Sequence, residues 1–371
     1  MPDTDRSDRA DRAASSDRQR ASPSGRQAEP ARTESTPERP QRRRPRDPSL
    51  PPRSSGGKRR PAVDRASLGP NRAFRGLQTE RTPQYLVIGH IVADVLPNGE
   101  AVLGGTALYS ALTAARLGWR VGVLTRGAFG VTVDGIAVPS LAEFASEISI
   151  ITQDADGPTF FVNEYAAGRR SQIIRRWAGP IDLRGLPPHW RNARIIHLGP
   201  VAQEIDARQT GALTPEFLGA TPQGWMREWP RASGGRVKLS PLRLPAELLG
   251  RLDAVVVSDE EIHLAREVVE RVGARRLGVV TLGEMGARVT YGGQRVDLPG
   301  VPIKTVDLTG AGDVFAAAFF LRAADRTASA ITAGQFANAV AALSLRGVGP
   351  SSVPTLAEVE DLLARTESKT R

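Results

Sequence analysis

From Tyr85 onward, short apolar runs alternate with amphipathic segments, and this alternation leaves few architectures open to the chain. Tyr85-Leu86-Val87-Ile88-Gly89 predicts a buried strand, Thr106 to Leu117 a helix stopped by Gly118, and Val121 to Leu124 the next strand. Further strands are predicted at Arg194 to Leu198, Glu216 to Ala220, Ala254 to Val257 and Leu277 to Thr281, with helices at Pro245 to Leu252 and Asp259 to Val272. Strands separated by helices build a mostly parallel sheet covered on both faces, an α/β fold. Two later helices, Asp313 to Ala323 and Ala328 to Leu345, are apolar around most of their circumference. Such helices have no face to give to water, so they belong at the centre against the sheet.

The net charge of +10 suggests a nucleic-acid partner until the charge is located. Residues 1–83 carry 20 Lys+Arg and 11 Asp+Glu, leaving 30 basic and 29 acidic groups, a net of +1, for the rest. That first segment is rich in Arg, Ser and Pro and poor in aliphatic residues, so it is read as a disordered basic tail whose nucleic-acid contacts would be weak. No linker interrupts the remainder, and 84–371 is read as one domain. The 371 residues include no cysteine, which excludes a disulfide framework and fits a cytoplasmic location. No run is long and apolar enough to predict a membrane span.

The chemistry concentrates in Asp307-Leu308-Thr309-Gly310-Ala311-Gly312-Asp313, where a loop enters a buried helix. Small residues there leave backbone N–H groups open to a ligand, and unpaired amides at a helix start favour phosphate oxygens. Asp313 falls in the first turn, where the helix dipole favours its ionised form and where it can take a proton from an attacking hydroxyl. Taken by itself, Gly-Ala-Gly-Asp is also how an ordinary tight turn leads into a helix.

This stretch resembles the Asp-Thr-x-Gly-Ala-Gly-Asp signature of the ribokinase-like (PfkB) sugar kinases, with Leu308 in place of Thr. The resemblance implies a ribokinase-like three-layer α/β/α sandwich with a mostly parallel central sheet and at most a short β lid. It also implies transfer of the γ-phosphoryl group of ATP, with Mg2+, to a hydroxyl of a sugar or inositol-like polyol. Asp313 is then the catalytic base, and Gly310, Ala311 and Gly312 form the anion hole. Four other segments fall in the order such a protein requires. Gly89-His90-Ile91-Val92-Ala93-Asp94 and Leu103-Gly104-Gly105-Thr106-Ala107 are similar to its substrate-binding segments, giving Asp94, Gly104 and Gly105 to the acceptor. Val257-Ser258-Asp259-Glu260-Glu261 resembles its Asn-x-x-Glu segment, which places Glu261 in the metal network, although Ser258 and the acids also suit a plain helix start. Thr281-Leu282-Gly283-Glu284-Met285-Gly286 resembles its nucleotide loop, so Thr281, Gly283, Gly286 and Thr309 would line ATP, with Asn338 near the adenine.

The sequence departs from that pattern on the acceptor side. Only Val95 to Val102 separate Asp94 from Leu103, so the lid is expected to be a short hairpin turning at Pro97-Asn98-Gly99. A second hairpin, Thr159 to Tyr165 with Ser171 to Ile174, is expected over the pocket, with Asn163 or Glu164 reaching substrate; Glu164 is the choice made here. His90 and His197 receive no role, and Trp225 is expected to pack on the core. A nucleoside kinase clamping a base with Tyr109, Tyr165 or Trp225, and a ligand-binding regulator without turnover, are the competing readings. The resemblance also implies a homodimer.

Overall fold

A computed structural model describes residues 80–166, 169–325 and 327–370. The tail expected over 1–83 lies almost wholly outside the described residues. In chain order the first elements are β1 (Tyr85–Ile88), β2 (Val92–Val95), β3 (Ala101–Gly104), α1 (Thr106–Arg116), β4 (Val121–Arg126), the small pair β5 (Thr132–Val133) and β6 (Ile136–Ala137), and β7 (Ile148–Gln153). Next come β8 (Thr159–Ala166), β9 (Arg169–Arg176), β10 (Ile195–Leu198), β11 (Phe217–Ala220), and the two-residue strands β12 (Arg227–Glu228), β13 (Gly235–Arg236) and β14 (Lys238–Leu239). The last part holds α2 (Ala246–Arg251), β15 (Ala254–Ser258), α3 (Ile262–Gly273), β16 (Leu277–Thr281), β17 (Ala287–Tyr291), β18 (Gln294–Leu298), α4 (Ala311–Ala323), α5 (Ala330–Ser344) and α6 (Leu356–Thr370).

Nine strands form the central sheet in the order β18-β17-β16-β15-β11-β10-β1-β4-β7. All pairings from β7 to β16 are parallel, and only β17 runs against the rest, pairing antiparallel with β16 and β18. Alternate residues of each buried strand serve opposite layers. Tyr85 and Val87 enter the core shared with α1, α4 and α5, whereas Leu86 and Ile88 enter the one shared with α2, α3 and Trp190. Both all-apolar helices are central: α4 buries Val314 to Leu321 in one unbroken run. Among the described residues no helix is long and apolar enough to cross a membrane.

The expected elements form with shifted ends. The largest shift is at α3, predicted from Asp259 but starting at Ile262, because the Glu261 carboxylate accepts the Ser258 N–H (3.0 Å) and closes a turn first. The lid is larger than the short hairpin expected. β2 and β3 do pair across the Pro97-Asn98-Gly99 turn, but β2 also pairs in parallel with β8, giving a five-stranded sheet ordered β13-β9-β8-β2-β3. The spacing from Asp94 to Leu103 bounds the hairpin alone; the other strands come from residues 159–176 and 235–236.

His197 on β10 is a structural residue. Its Nδ1 pairs with the Tyr85 hydroxyl (2.9 Å) and its Nε2 with Thr221 Oγ1 (2.8 Å), and burial holds its pKa down to about 3. His90 pairs through Nδ1 with Thr159 Oγ1 (2.9 Å). Trp225 packs on the core, its Nε1 donating to the Ile205 carbonyl (2.7 Å).

Docking of α4 depends on one absent side chain. The Phe320 ring lies over Gly219 of β11, and a Cβ there would come within 2.6 Å of it. Gly219→Ala is therefore expected to cost about 1–3 kcal/mol, as overpacked cores do. Urea unfolding should show a lower midpoint at an unchanged slope.

Candidate active site

Helices α1 and α4 start side by side, each capped by a glycine that an L side chain would strain. Gly105 precedes α1 at φ 86°, and Gly310 precedes α4 at φ 79°. A Cβ on Gly310 would lie 2.5 Å from the Tyr109 ring, so the glycine lets α1 approach. Around Gly312 nothing lies within 4 Å of an added Cβ, which leaves the first turn open to a ligand. First-turn amides have no partner within the helix, and the macrodipole adds partial positive charge there. The Asp307 carboxylate shapes the approach to them, accepting from the Thr309 N–H (2.9 Å) and hydroxyl (2.8 Å).

Asp313 is partly buried beside these amides. Its Oδ1 accepts the Thr106 hydroxyl from α1 at 2.7 Å, and its carbonyl accepts Ser110 Oγ at 3.2 Å. Burial raises its pKa to about 6; the Thr106 bond and the Arg227 charge oppose this, and the Glu261 charge adds to it. Desolvation thus outweighs the dipole expected to lower it, although the group remains mostly ionised at neutral pH. Tyr109 faces the same cluster. Burial first, and then the Asp307, Asp313 and Asp94 charges, hold its phenol well above the usual range.

Asp94 reaches the site from β2. A Cβ on Gly104 would lie 2.9 Å from Asp94 Oδ2, so the first glycine of the pair makes room for this carboxylate. The second, Gly105, packs against the His90 carbonyl, 3.0 Å from an added Cβ. Asn163 on β8 shares the face of Asp94, with its Nδ2 3.5 Å from Asp94 Oδ1. Glu164, the residue chosen from sequence, points the other way: strand alternation turns it to the far face, where it pairs with Arg236 (2.8 Å).

The remaining predicted residues divide between the site and its scaffold. Glu261 is buried, and one carboxylate oxygen is held by the Ser258 N–H. Among the described residues no group of three or more His, Asp or Glu is arranged to hold a metal ion. Gly283, at φ 59°, is open, but Gly286, at φ 97°, closes a turn in which an added Cβ would strike the Leu298 carbonyl at 2.2 Å. Thr281 Oγ1 lies 3.4 Å from the Val257 carbonyl. Asn338 gives its amide hydrogens to the Leu298 (3.3 Å) and Pro299 (3.0 Å) carbonyls, so it pins the β18 exit loop.

Thr106 and Arg227 were not singled out from sequence. Thr106 belongs to the double-glycine segment, and its place directly after the helix-capping glycine is the signal that marks it. Arg227 is buried, yet only its position in an aromatic run, Trp225-Met226-Arg227-Glu228-Trp229, hinted at that.

Comparison with known proteins gives a match to the pfkB family carbohydrate kinase model over residues 246–356. A Bacillus subtilis ribokinase is 41% identical over 86 residues, 23% of this chain but only 29% of that protein's length. The Thermococcus kodakarensis cytidine kinase is 28% identical over 260 residues, covering 63% of this chain and 86% of that protein. Among solved structures, a pyrophosphate-dependent kinase in the ribokinase family, complexed with a pyrophosphate analog and myo-inositol, superposes with a TM-score of 0.60 at 21% identity. That superposition covers 74% of this chain and 99% of the other. The chain has the ribokinase fold, and its residues 246–356 match the pfkB family carbohydrate kinase model.

Proposed function

We propose that this protein is an ATP-dependent kinase that phosphorylates a hydroxyl of a sugar or inositol-like polyol. The observation that carries this reading is Asp313: a carboxylate held by Thr106, with a pKa near 6, in the first turn of a helix that is open to a ligand at Gly312. Asp94, beside Gly104 and Gly105, would orient the acceptor. Asp313 would take the proton of the attacking hydroxyl, and the amides from Gly310 to Gly312 would stabilise charge on the transferred phosphoryl oxygens. Magnesium, when bound, neutralises charge on the donor phosphates. Glu261 is the residue that would help hold it.

The donor is the point on which the relatives divide, since the structural neighbour described above uses pyrophosphate. Large apolar side chains favour ATP here. Met285, Val306, Leu308 and Val348 are each more than half exposed and lie on the loops before β17, before α4 and after α5. These loops are tied together: Gly300 N bonds the Met285 carbonyl, Val306 N the Leu345 carbonyl, and Gly349 N lies 3.5 Å from Asp307 Oδ2. A purine gives such a surface something to cover, and inorganic pyrophosphate does not. ATP or ADP should raise the melting temperature more than pyrophosphate at equal concentration; a larger shift with pyrophosphate would reverse the donor assignment.

A nucleoside acceptor is the second reading, favoured by the long match to the cytidine kinase. Against it, Trp225 is anchored to Ile205 and Tyr109 packs on Gly310, so neither stands free to clamp a base. The Tyr165 side chain lies outside the described residues. Screening sugars, polyols and nucleosides for ADP release separates these readings, and silence across all three would remove the ATP-dependent kinase reading.

Asp313→Asn should lower kcat by about 10²–10⁴-fold, the usual loss for a positioned proton acceptor. Wild-type kcat/KM should fall as pH drops below about 6, because the base works only when ionised. Thr106→Val removes a hydrogen bond that favours the ionised form, so that acid limb should move to higher pH.

A further inference from the structure

A continuous chain of side-chain hydrogen bonds crosses the lid from Arg227 to Asp94. Arg227 Nη2 donates to Gln172 Oε1 (2.8 Å), Gln172 Nε2 donates to Asn163 Oδ1 (3.2 Å), and Asn163 Nδ2 reaches Asp94 Oδ1 (3.5 Å). The four residues come from β12, β9, β8 and β2. Both ends fix the direction. Guanidinium can only donate and an ionised carboxylate can only accept, so each amide between them has one allowed orientation. Reversing either one would set donor against donor or acceptor against acceptor.

The Arg227 end is rigidly held. The side chain is buried, its Nη1 donates to the Val201 carbonyl (2.7 Å), and its guanidinium lies over the Phe161 ring, 5.1 Å from the centroid. The Asp94 end is the loosest link, at the outer limit of a hydrogen bond. A hydroxyl oxygen entering there can accept from Asn163 Nδ2 while its hydrogen goes to Asp94. A carboxylate or phosphate in the same place would set negative charge against Asp94.

We propose that Arg227, Gln172 and Asn163 act as a positioning relay that orients the Asn163 amide beside Asp94 and so selects a neutral hydroxyl of the acceptor over an anionic group. This rests on the reading of Asp94 as the acceptor-binding residue. Arg227 and Gln172 are positioning residues; Asn163 and Asp94 touch the substrate.

The relay can be read without turnover, from the side-chain amide signals of Gln172 and Asn163 in NMR spectra of the full chain, identified by their loss in Gln172→Leu and Asn163→Leu. Arg227→Met should move both pairs of signals, including those of Asn163, to which Gln172 links Arg227. Arg227→Lys, which keeps a donor for Gln172, should bring them back. Asn163 signals unmoved in Arg227→Met would overturn the relay, as would Asn163 signals that Arg227→Met still moves when Gln172→Leu is already present. Should Arg227→Met fail to fold, Gln172→Leu severs the same chain without emptying the Arg227 site, and Asn163 signals unmoved there would overturn it equally.

With any acceptor that turns over, Gln172→Leu should raise the acceptor KM about tenfold, the usual scale for one lost buried hydrogen bond, with a smaller change in kcat and in donor KM. It should also narrow the preference for a polyol over the corresponding acid. A fall in kcat at unchanged acceptor KM would overturn the selection of the hydroxyl. Failure of every acceptor would sink the kinase reading, while the amide signals would still decide the relay.

Discussion

The hydrogen bond from Thr106 to Asp313 joins the first turns of two helices that are 207 residues apart in sequence. Everything around it makes that bond geometrically possible. The lid strand β3 leads into α1 and the segment after β18 into α4, and the two helix starts meet as ligand-binding loops do in open α/β folds. Gly310 lets Tyr109 pass beneath α4, and Gly219 lets Phe320 settle on β11, so α4 sits close enough for the contact. The bond then fixes where the carboxylate points. It also favours the charged form, partly offsetting a desolvation that would otherwise leave the group protonated over more of the pH range.

The sandwich was largely legible because its signals are local. A four-residue apolar strand such as Tyr85–Ile88 needs only its own residues and its flanking glycine to be recognised, and α4 declares itself buried by having no polar face. The proposed anion site was legible for the same reason: Gly310 to Asp313 are contiguous, and their backbone geometry follows from residue type. Asp94 and Gly104 were placed together by motif, and the structure supplies the cause: the carboxylate occupies the space a side chain at Gly104 would need.

What the sequence did not reveal depends on pairing between distant segments. Neither the parallel contact of β2 with β8 nor the choice between Asn163 and Glu164 has a local signature; a shift of one residue in strand register exchanges their faces. Arg227 was hidden because its burial is created by Phe161, Gln172 and Val201, which lie 66, 55 and 26 positions earlier. Asn338 was placed by analogy with a ligand role, whereas its amide is committed to holding the loop after β18.

The lid has a consequence for how the chain acquires its structure. β2 leaves directly from central β1, β8 follows directly from edge strand β7, and the two then pair in parallel across about 65 intervening residues. A parallel partner so far along the chain cannot be found by local zippering, since loop closure must come before any contact rewards it. Lid formation is therefore expected to wait until β1, β4 and β7 have been brought into register. The cover over the acceptor side would be among the last parts of the molecule to consolidate during folding.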